Sequence, residues 1–446
     1  MSLLRKYIEI VTDLKERILG GEIKPGQRLP SIRQLSETYQ CSKSTIIRGF
    51  ADLKRRHLIY SIPQSGYYAV GRKDPASIED SKPFVDFSSA APDPSVFPYL
   101  DFQHCINKAV DTYQDDLFRY GTAQGLPTLL RLLEKQLQSY QVFTDVQHLC
   151  ITSGVQQALA ILGLMSFPNH KQKVLVEQPT YHLLIQLLEL HHIPTLTIKR
   201  TASGIDFQEL ERLFQQESIK FFYTMPRFHN PLGTSYSQKE KKQIAYLAQK
   251  YDVYIIEDDY LADLEHDTKA DPIHTYAHSH VIYLKSYSKI LFPGLRVGVA
   301  VIPAPLQEAF YAYKKLMDID SSMLSQAALE IYVKSGMFDR HREKIRLSYT
   351  GKMEQVNKVF RKWQQHQGVV EAPLNGGVHT YIKTRARMSE TNVKTNLLKR
   401  GIIIDTMDRY YMKFSEKELL WRINVSYVEE TRIEKALGEV AEVLQL

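Results

Sequence analysis

The sequence predicts two domains of different class: a small unit of three helices and a β-hairpin, joined to a large α/β domain built on a mostly parallel sheet. Apolar residues recur at helical spacing through most of the first 57 residues and then alternate around a short polar turn. Beyond residue 84, apolar strand-like runs alternate with helical stretches, the pattern of βαβ units. The charge divides along the same line: residues 1–72 carry 13 Lys+Arg against 6 Asp+Glu, the whole of the net +7, whereas residues 73–446 hold 44 of each. A basic block beside a neutral remainder points to a polyanion for the small unit and another kind of ligand for the large one.

The 446 residues, 43% hydrophobic and 24% charged, have an ordinary globular composition. The N-terminus lacks the apolar centre of a signal peptide, and the longest apolar run, residues 158–167, is far too short to span a bilayer; a cytoplasmic protein without a membrane partner is expected. Cys41, Cys105 and Cys150 are widely spaced, with no CxxC pair or histidine cluster beside them, so reduced thiols and no metal site are expected.

In chain order, Leu4, Tyr7, Ile8, Val11, Leu14 and Ile18 form the stripe of a first helix, stopped by Gly20-Gly21. Ser31, with Gln34 three residues on, caps a second helix that buries Ile32, Leu35 and Tyr39. A break at Cys41-Ser42 leads into a third, roughly residues 44–57, burying Ile47, Phe50 and Leu53. IYSIPQSGYYAV then reads as a hairpin turning at Pro63 and Gly66. The sum, residues 1–70, is a small winged helix-turn-helix unit. Its third helix presents Lys43, Ser44, Thr45 and Arg48 near its start, where such side chains reach base edges and phosphates. Arg33 and the wing around Gln64, Ser65 and Gly66 add backbone contacts, while Lys54, Arg55 and Arg56 suit a solvated face. The run GGEIKPGQRLPSIRQLSETYQCSKSTIIRGFADLKRRHLI followed by QSGYYA resembles the GntR-type winged helix over nearly all of the first 70 residues. The resemblance implies operator DNA as partner and puts Arg33, Lys43 and Thr45 at contact positions.

Residues 71–83 are polar, contain Pro75 and read as a linker to a domain at 84–446. The most informative string there is SYSKILFPGLRVG, which follows the strand VIYL. A lysine among serines, with an arginine seven residues on, suits an amine that forms an imine next to a bound phosphate: Lys289 is the amine, and Ser286, Ser288 and Arg296 face the dianion. YIIEDDY brings Asp258 to the carboxyl edge of the sheet, where it can pair with a pyridinium nitrogen; Asp259 beside it is the alternative, disfavoured by strand alternation. FFYTMPRFHNPLG brings Asn230 to the same edge. ITSGVQQALAIL opens a helix whose free N–H groups at Gly154, Val155 and Gln156 can cradle phosphate, and VEQPTY positions Tyr181 to stack on a ring.

These five strings, in this order and at strand ends, resemble the fold type I enzymes of the aspartate aminotransferase superfamily, which use pyridoxal 5'-phosphate. The resemblance spans residues 84–446. By position Lys289 resembles the cofactor-bearing lysine, Asp258 the pyridinium partner, and Asn230 and Tyr260 the phenolate partners, although many relatives place that tyrosine three residues after the aspartate and here it is two. Tyr120, in FRYGTAQGLPTL, resembles a tyrosine that reaches a second subunit's phosphate, and Arg422, in LWRINVS, the arginine that clamps a substrate carboxylate; both imply a homodimer. A GntR-type winged helix, a linker and such a domain in one chain resemble the MocR, or GabR-like, regulators. That implies a transcription regulator sensing a small amino compound. The alternatives are an active transaminase and a regulator that senses pyridoxal phosphate itself.

Overall fold

The computed structural model describes residues 2–24, 26–56, 58–62, 65–70, 84–267, 270–364, 369–374, 376–384 and 388–446. The linker expected at 71–83, with Pro63 and Gln64 of the hairpin turn, lies outside them. The chain forms two compact units, Met1–Pro83 and Phe84–Leu446.

The first unit is a winged helix-turn-helix, as the sequence predicts: helices Ser2–Leu19, Ile32–Thr38 and Lys43–Arg55, then antiparallel strands Ile59–Ile62 and Gly66–Ala69. The second helix starts on a complete capping box, with Ser31 Oγ accepting from the Gln34 N–H at 3.2 Å and Gln34 Oε1 accepting from the Ser31 N–H at 2.8 Å. Ile10, Val11, Leu14, Leu35, Ile46, Phe50 and Leu53 form its core. Two isoleucines expected inside lie outside: Ile8 is 55% and Ile47 49% exposed, while Ile10 and Ile46 are fully buried. The physical reason is phase. Residues 46, 50 and 53 stand at i, i+4 and i+7 on one stripe, and Ile47 is turned about 100° from it. Two adjacent isoleucines look alike to a periodicity until the start of the helix is fixed, here by Ser42, whose Oγ accepts from the Thr45 N–H.

The second unit has the aminotransferase-type α/β architecture expected. Its eight-stranded sheet runs Leu149–Thr152, Gly298–Val301, Val281–Ser286, Tyr254–Asp258, Ile219–Thr224, Lys173–Gln178, Thr195–Thr201, Gly204–Ile205. The five strands from Val281–Ser286 to Thr195–Thr201 pair in parallel; Gly298–Val301 runs antiparallel to both strands beside it. Side-chain alternation splits the burial between two faces. Val174, Val176, Phe221, Tyr223 and Ile256 go to one cluster, and Leu175, Phe222, Ile255 and Val281 to the other. Because the central strands are parallel, the chain after Gln178, Thr224, Asp258 and Ser286 emerges at one edge.

A C-terminal layer was not legible in the sequence. Val369–Glu371, His379–Thr384, Trp421–Asn424 and Asp405–Thr406 form an antiparallel sheet in that order, and Ile402–Ile403 pairs in parallel with Val85–Asp86 at the start of the unit. Several of these strands are two or three residues long, too short to show a period. Among the described residues no helix is long and apolar enough to cross a membrane.

The phase of the third helix predicts an asymmetry between neighbours. Ile46→Ala should cost the N-terminal unit about 2–4 kcal/mol in urea unfolding, and Ile47→Ala less than about 0.5 kcal/mol. The opposite ranking would contradict the core described above.

Candidate functional site

On the first unit, the exposed start of Lys43–Arg55 carries Lys43, Ser44 and Arg48. Arg33, whose side chain is 81% exposed on the preceding helix, is held by Glu37 one turn on, at 3.1 Å. Gly66 opens the return strand opposite Ile62. Thr45 does not join this face. It is 7% exposed, and its Oγ1 lies 2.9 Å from Ser42 Oγ within the cap of its own helix, so its side chain is not available to a groove. The sequence expectation for Thr45 is corrected on that ground. Ile47, expected inside, stands on the face instead.

On the second unit, the strand edge gathers the residues singled out in the sequence. Asp258 ends the strand Tyr254–Asp258 at 4% exposure. Its Oδ2 accepts from Tyr223 Oη at 2.8 Å, and its Oδ1 is buried without a partner among the described residues. Burial raises its carboxyl to about 7, against the lowering effect of the Tyr223 hydrogen bond. Asp259 points to the opposite face, where Arg227 Nε at 3.0 Å and Tyr283 Oη at 2.8 Å engage both its oxygens. Of these two carboxylates, Asp258 is the one with an oxygen to offer a ring nitrogen.

Asn230 sits on the loop after Ile219–Thr224 with its Oδ1 buried and unpartnered among the described residues. A buried cluster holds this loop. Glu177, fully buried, accepts from Arg200 Nη1 and Thr224 Oγ1, each at 2.9 Å, and from Tyr236 Oη at 2.5 Å, and His229, next to Asn230, approaches it at 3.2 Å. Burial alone would raise the Glu177 carboxyl; Arg200 and His229 hold it at about 2. Nothing in the sequence marked this cluster, because its members come from four separate segments.

Lys289 lies in the connection between Ser286 and Gly298, which pair across an antiparallel turn of the sheet. Its Nζ donates to the Ala90 carbonyl at 2.6 Å. Burial, and after it the charge of Arg422, lowers the amine to about 8, which leaves far more of the neutral nucleophile near neutral pH than an ordinary lysine has. Ser286 Oγ accepts from the Ser288 N–H at 3.2 Å. Arg296 closes the same connection and donates through Nη2 to the Ser153 carbonyl at 2.7 Å, over the N-terminus of the helix Val155–Leu164. Gly154, at φ +82°, is the cap there, and a Cβ on it would lie 2.7 Å from Arg296 Nη2. A Cβ on Gly298 would lie 2.8 Å from the Gly154 carbonyl carbon. Two glycines thus let a guanidinium and the free N–H groups of the first helical turn, Val155 and Gln156 among them, converge on one spot. A cavity of about 380 Å³ opens here, lined by Ser153, Gln156, Gln157, Tyr181, Arg296 and four leucines; Lys289, Asp258 and Asn230 are not in its lining.

Three residues sit differently from expectation. Tyr260 donates its hydroxyl proton to the Phe228 carbonyl at 2.7 Å, so in this arrangement it has no proton for a phenolate. Tyr120 is 82% exposed and absent from the cavity lining. Arg422 is fully buried: Nη1 donates to the Ser88 carbonyl at 2.8 Å, Nη2 lies 3.0 Å from His379 Nδ1, and Nε has no partner among the described residues. Burial lowers its affinity for its proton, against partial compensation from Tyr410, Tyr260 and Asp405. His379, His182 and Tyr410 surround this end of the site and had not been singled out; the Tyr410 ring lies 5.6 Å from the Arg422 guanidinium carbon and 5.2 Å from the His182 ring.

Against pyridoxal phosphate these residues fit. The unpartnered Asp258 Oδ1 suits a protonated ring nitrogen, the amide N–H of Asn230 (not its Oδ1) a phenolate oxygen, Tyr181 a ring face, the depressed Lys289 amine an aldehyde carbon, and the cradle at Gly154 and Arg296 a phosphate.

Comparison with known proteins agrees with both units. Residues 6–68 match the family of bacterial regulatory proteins of the gntR family, and residues 93–440 match aminotransferase class I and II. The chain is 52% identical, over 97% of its length and 98% of the relative's, to an uncharacterized HTH-type transcriptional regulator, YcxD, of Bacillus subtilis (strain 168). It is 26% identical to aromatic-amino-acid aminotransferase 1 of Thermococcus litoralis, over 81% of this chain and 88% of that one. The solved kynurenine aminotransferase of Pyrococcus horikoshii superposes with a TM-score of 0.74 at 24% identity, covering 89% of this chain and 98% of the other, a likeness of fold. The chain therefore belongs to the HTH-type transcriptional regulators in which a GntR-family unit is joined to a class I and II aminotransferase domain, the MocR-like combination.

Proposed function

We propose that this regulator holds pyridoxal 5'-phosphate on Lys289, senses a small amino compound there, and passes that binding to operator DNA held by its first unit. The observation that carries the reading is a buried carboxylate oxygen, Asp258 Oδ1, that lacks a partner among the described residues at the strand edge of a unit whose Lys289 amine is lowered to about 8. When bound, the cofactor would supply an electron-withdrawing ring conjugated to the amino nitrogen of the ligand.

The chain's own residues do the rest. Gly154, Val155 and Gln156, with Ser286, Ser288 and Arg296, bind the phosphate and fix the ring's position; Tyr181 covers its face; Asp258 keeps the ring nitrogen protonated; Asn230 donates to the phenolate. Arg422 offers its unpartnered Nε and the remaining protons of its fork to a carboxylate. Since Arg422 is fully covered, a carboxylate reaches it only if the cover of Ser88, His379 and Tyr410 shifts, and such a shift is what a sensor has to transmit. The exposed Tyr120 is suited to a second copy of the chain, so the working unit is a homodimer, in the cytoplasm where its DNA is. The effector changes operator affinity by its differential affinity for the two arrangements of the dimer.

Two measurements test this. Cofactor-free protein given pyridoxal phosphate, reduced with borohydride and mapped by peptide should carry the pyridoxyl group on Lys289. Capture requires the neutral amine, so its rate should rise with pH and level off above about 8, the value to which burial and Arg422 lower Lys289. Arg422→Met should move that midpoint upward; labelling of another lysine, or a midpoint near 10.5, would contradict the assignment.

In the second measurement, amino acids are titrated into the loaded protein while cofactor absorbance and DNA binding are followed together. A carboxylate-bearing amine should move both in the wild type and neither in Arg422→Ala, whose unliganded DNA affinity stays within about twofold if Arg422 only docks the ligand. Keto acid production at about 1 per second or faster would replace the sensor with the active transaminase.

A further inference from the structure

We propose that Ile47 reads DNA: its side chain packs on the 5-methyl group of a thymine in the major groove, so the operator of this regulator carries a T at one fixed position of its site. The inference rests on the operator-binding reading above.

Ile47 is 49% exposed in the middle of the helix Lys43–Arg55, while Ile46 beside it is fully buried. It stands four residues after Lys43, three after Ser44 and next to Arg48, and all four belong to the exposed side of the helix. Thr45 is turned inward and bound to Ser42, so the outward face of the first two turns is made of two cations, one hydroxyl and one branched hydrocarbon. Among the described residues of this helix no exposed carboxylate stands beside them. The acid of this helix, Asp52, is 6% exposed and ion-paired with Arg56 at 2.8 Å. Residues 1–72 hold the whole excess of positive charge in the chain. The face is complementary to a polyanion, and an apolar protein partner would have to bury Lys43 and Arg48 without counter-charges.

Within a major groove the chemistry narrows further. Guanine, cytosine and adenine edges present donors and acceptors, each of which would be desolvated and left unpaired beneath an isoleucine. Thymine alone presents a methyl group there. An isoleucine flanked by Lys43, Ser44 and Arg48 therefore selects T at its own position, while its polar neighbours hold phosphates and adjacent base edges.

The test uses the full-length protein. Wild-type and Ile47→Ala proteins each select sites from a pool of random duplex DNA. The wild-type consensus is then remade with each thymine replaced singly by deoxyuridine, which removes only the 5-methyl group, and affinities are measured at one salt concentration. At one thymine of each half-site the loss of the methyl should weaken wild-type binding about fourfold, the worth of one buried methyl-sized group, and leave Ile47→Ala unchanged. The Ile47→Ala selection should lose its T preference at that position and no other. Coincident urea unfolding of the two proteins confirms that the fold is unaltered. A sharp wild-type consensus whose thymines respond equally in both proteins, or an unchanged consensus for Ile47→Ala, overturns the role of Ile47 alone. If the wild type enriches no sequence, the operator-binding reading falls and this inference with it.

Discussion

A carboxylate at the end of a buried strand needs a partner, and Asp258 has half of one. Tyr223 satisfies one oxygen, the other is sealed from water and unpaired, and burial raises the group to about 7. An isolated buried charge is costly, and proteins ordinarily pair it or neutralise it. The neighbouring carboxylates show that this chain does so elsewhere: Asp259 is engaged by Arg227 and Tyr283, and Glu177 by Arg200, Thr224 and Tyr236. The open oxygen lies at the sheet edge to which the segments carrying Lys289, Asn230 and Arg296 also lead. A cationic ring nitrogen in that place completes a charge pair that the polypeptide leaves incomplete.

The rest of the large unit can be understood as support for that edge. Parallel strands deliver several chain segments to one side, and the antiparallel strand Gly298–Val301 turns the chain back so that Lys289 and Arg296 belong to one short connection. Two glycines allow guanidinium and helix terminus to meet. The segment after Val85 crosses the site, giving the Ala90 carbonyl to Lys289 and the Ser88 carbonyl to Arg422. The acidic half of the site is thereby tied to the sheet, and the carboxylate-binding half to the C-terminal layer, so a ligand spanning Lys289 and Arg422 would bear on both.

What the sequence made legible depended on whether a residue's role was local. The capping box at Ser31 and Gln34, the hairpin and the alternation of strand and helix are local matters, and each appears where expected. Lys289, Asp258 and Asn230 were legible because each sits a few residues past a strand with a recognisable apolar run. Phase was harder: Ile46 and Ile47 exchange inside for outside with one residue's shift, and Thr45 follows the cap formed by Ser42 into the interior. Roles decided by distant segments were not legible at all. The Glu177 cluster, the cover of His379 and Tyr410 over Arg422, and the bond from Tyr260 to the Phe228 carbonyl exist only after the chain has folded.

If Asp258 waits for a cation that pyridoxal phosphate brings, the thermal unfolding of wild type and Asp258→Asn, each with and without the cofactor, reads it most directly. At pH 8, above the value near 7 to which burial raises Asp258, the cofactor-free wild type carries the uncompensated charge. The sign follows: a carboxyl raised in the folded state favours folding at low pH and loses that contribution as pH climbs through about 4 to 7. Without cofactor, Asp258→Asn should therefore unfold at the same temperature as wild type or higher. With cofactor at about one hundred times its Kd, wild type should gain about 2.7 kcal/mol, and the variant, which has no charge to pair with the ring, should lose most of that gain at the same cofactor concentration. Equal gains in the two proteins, or a variant that is less stable without cofactor, would contradict the account.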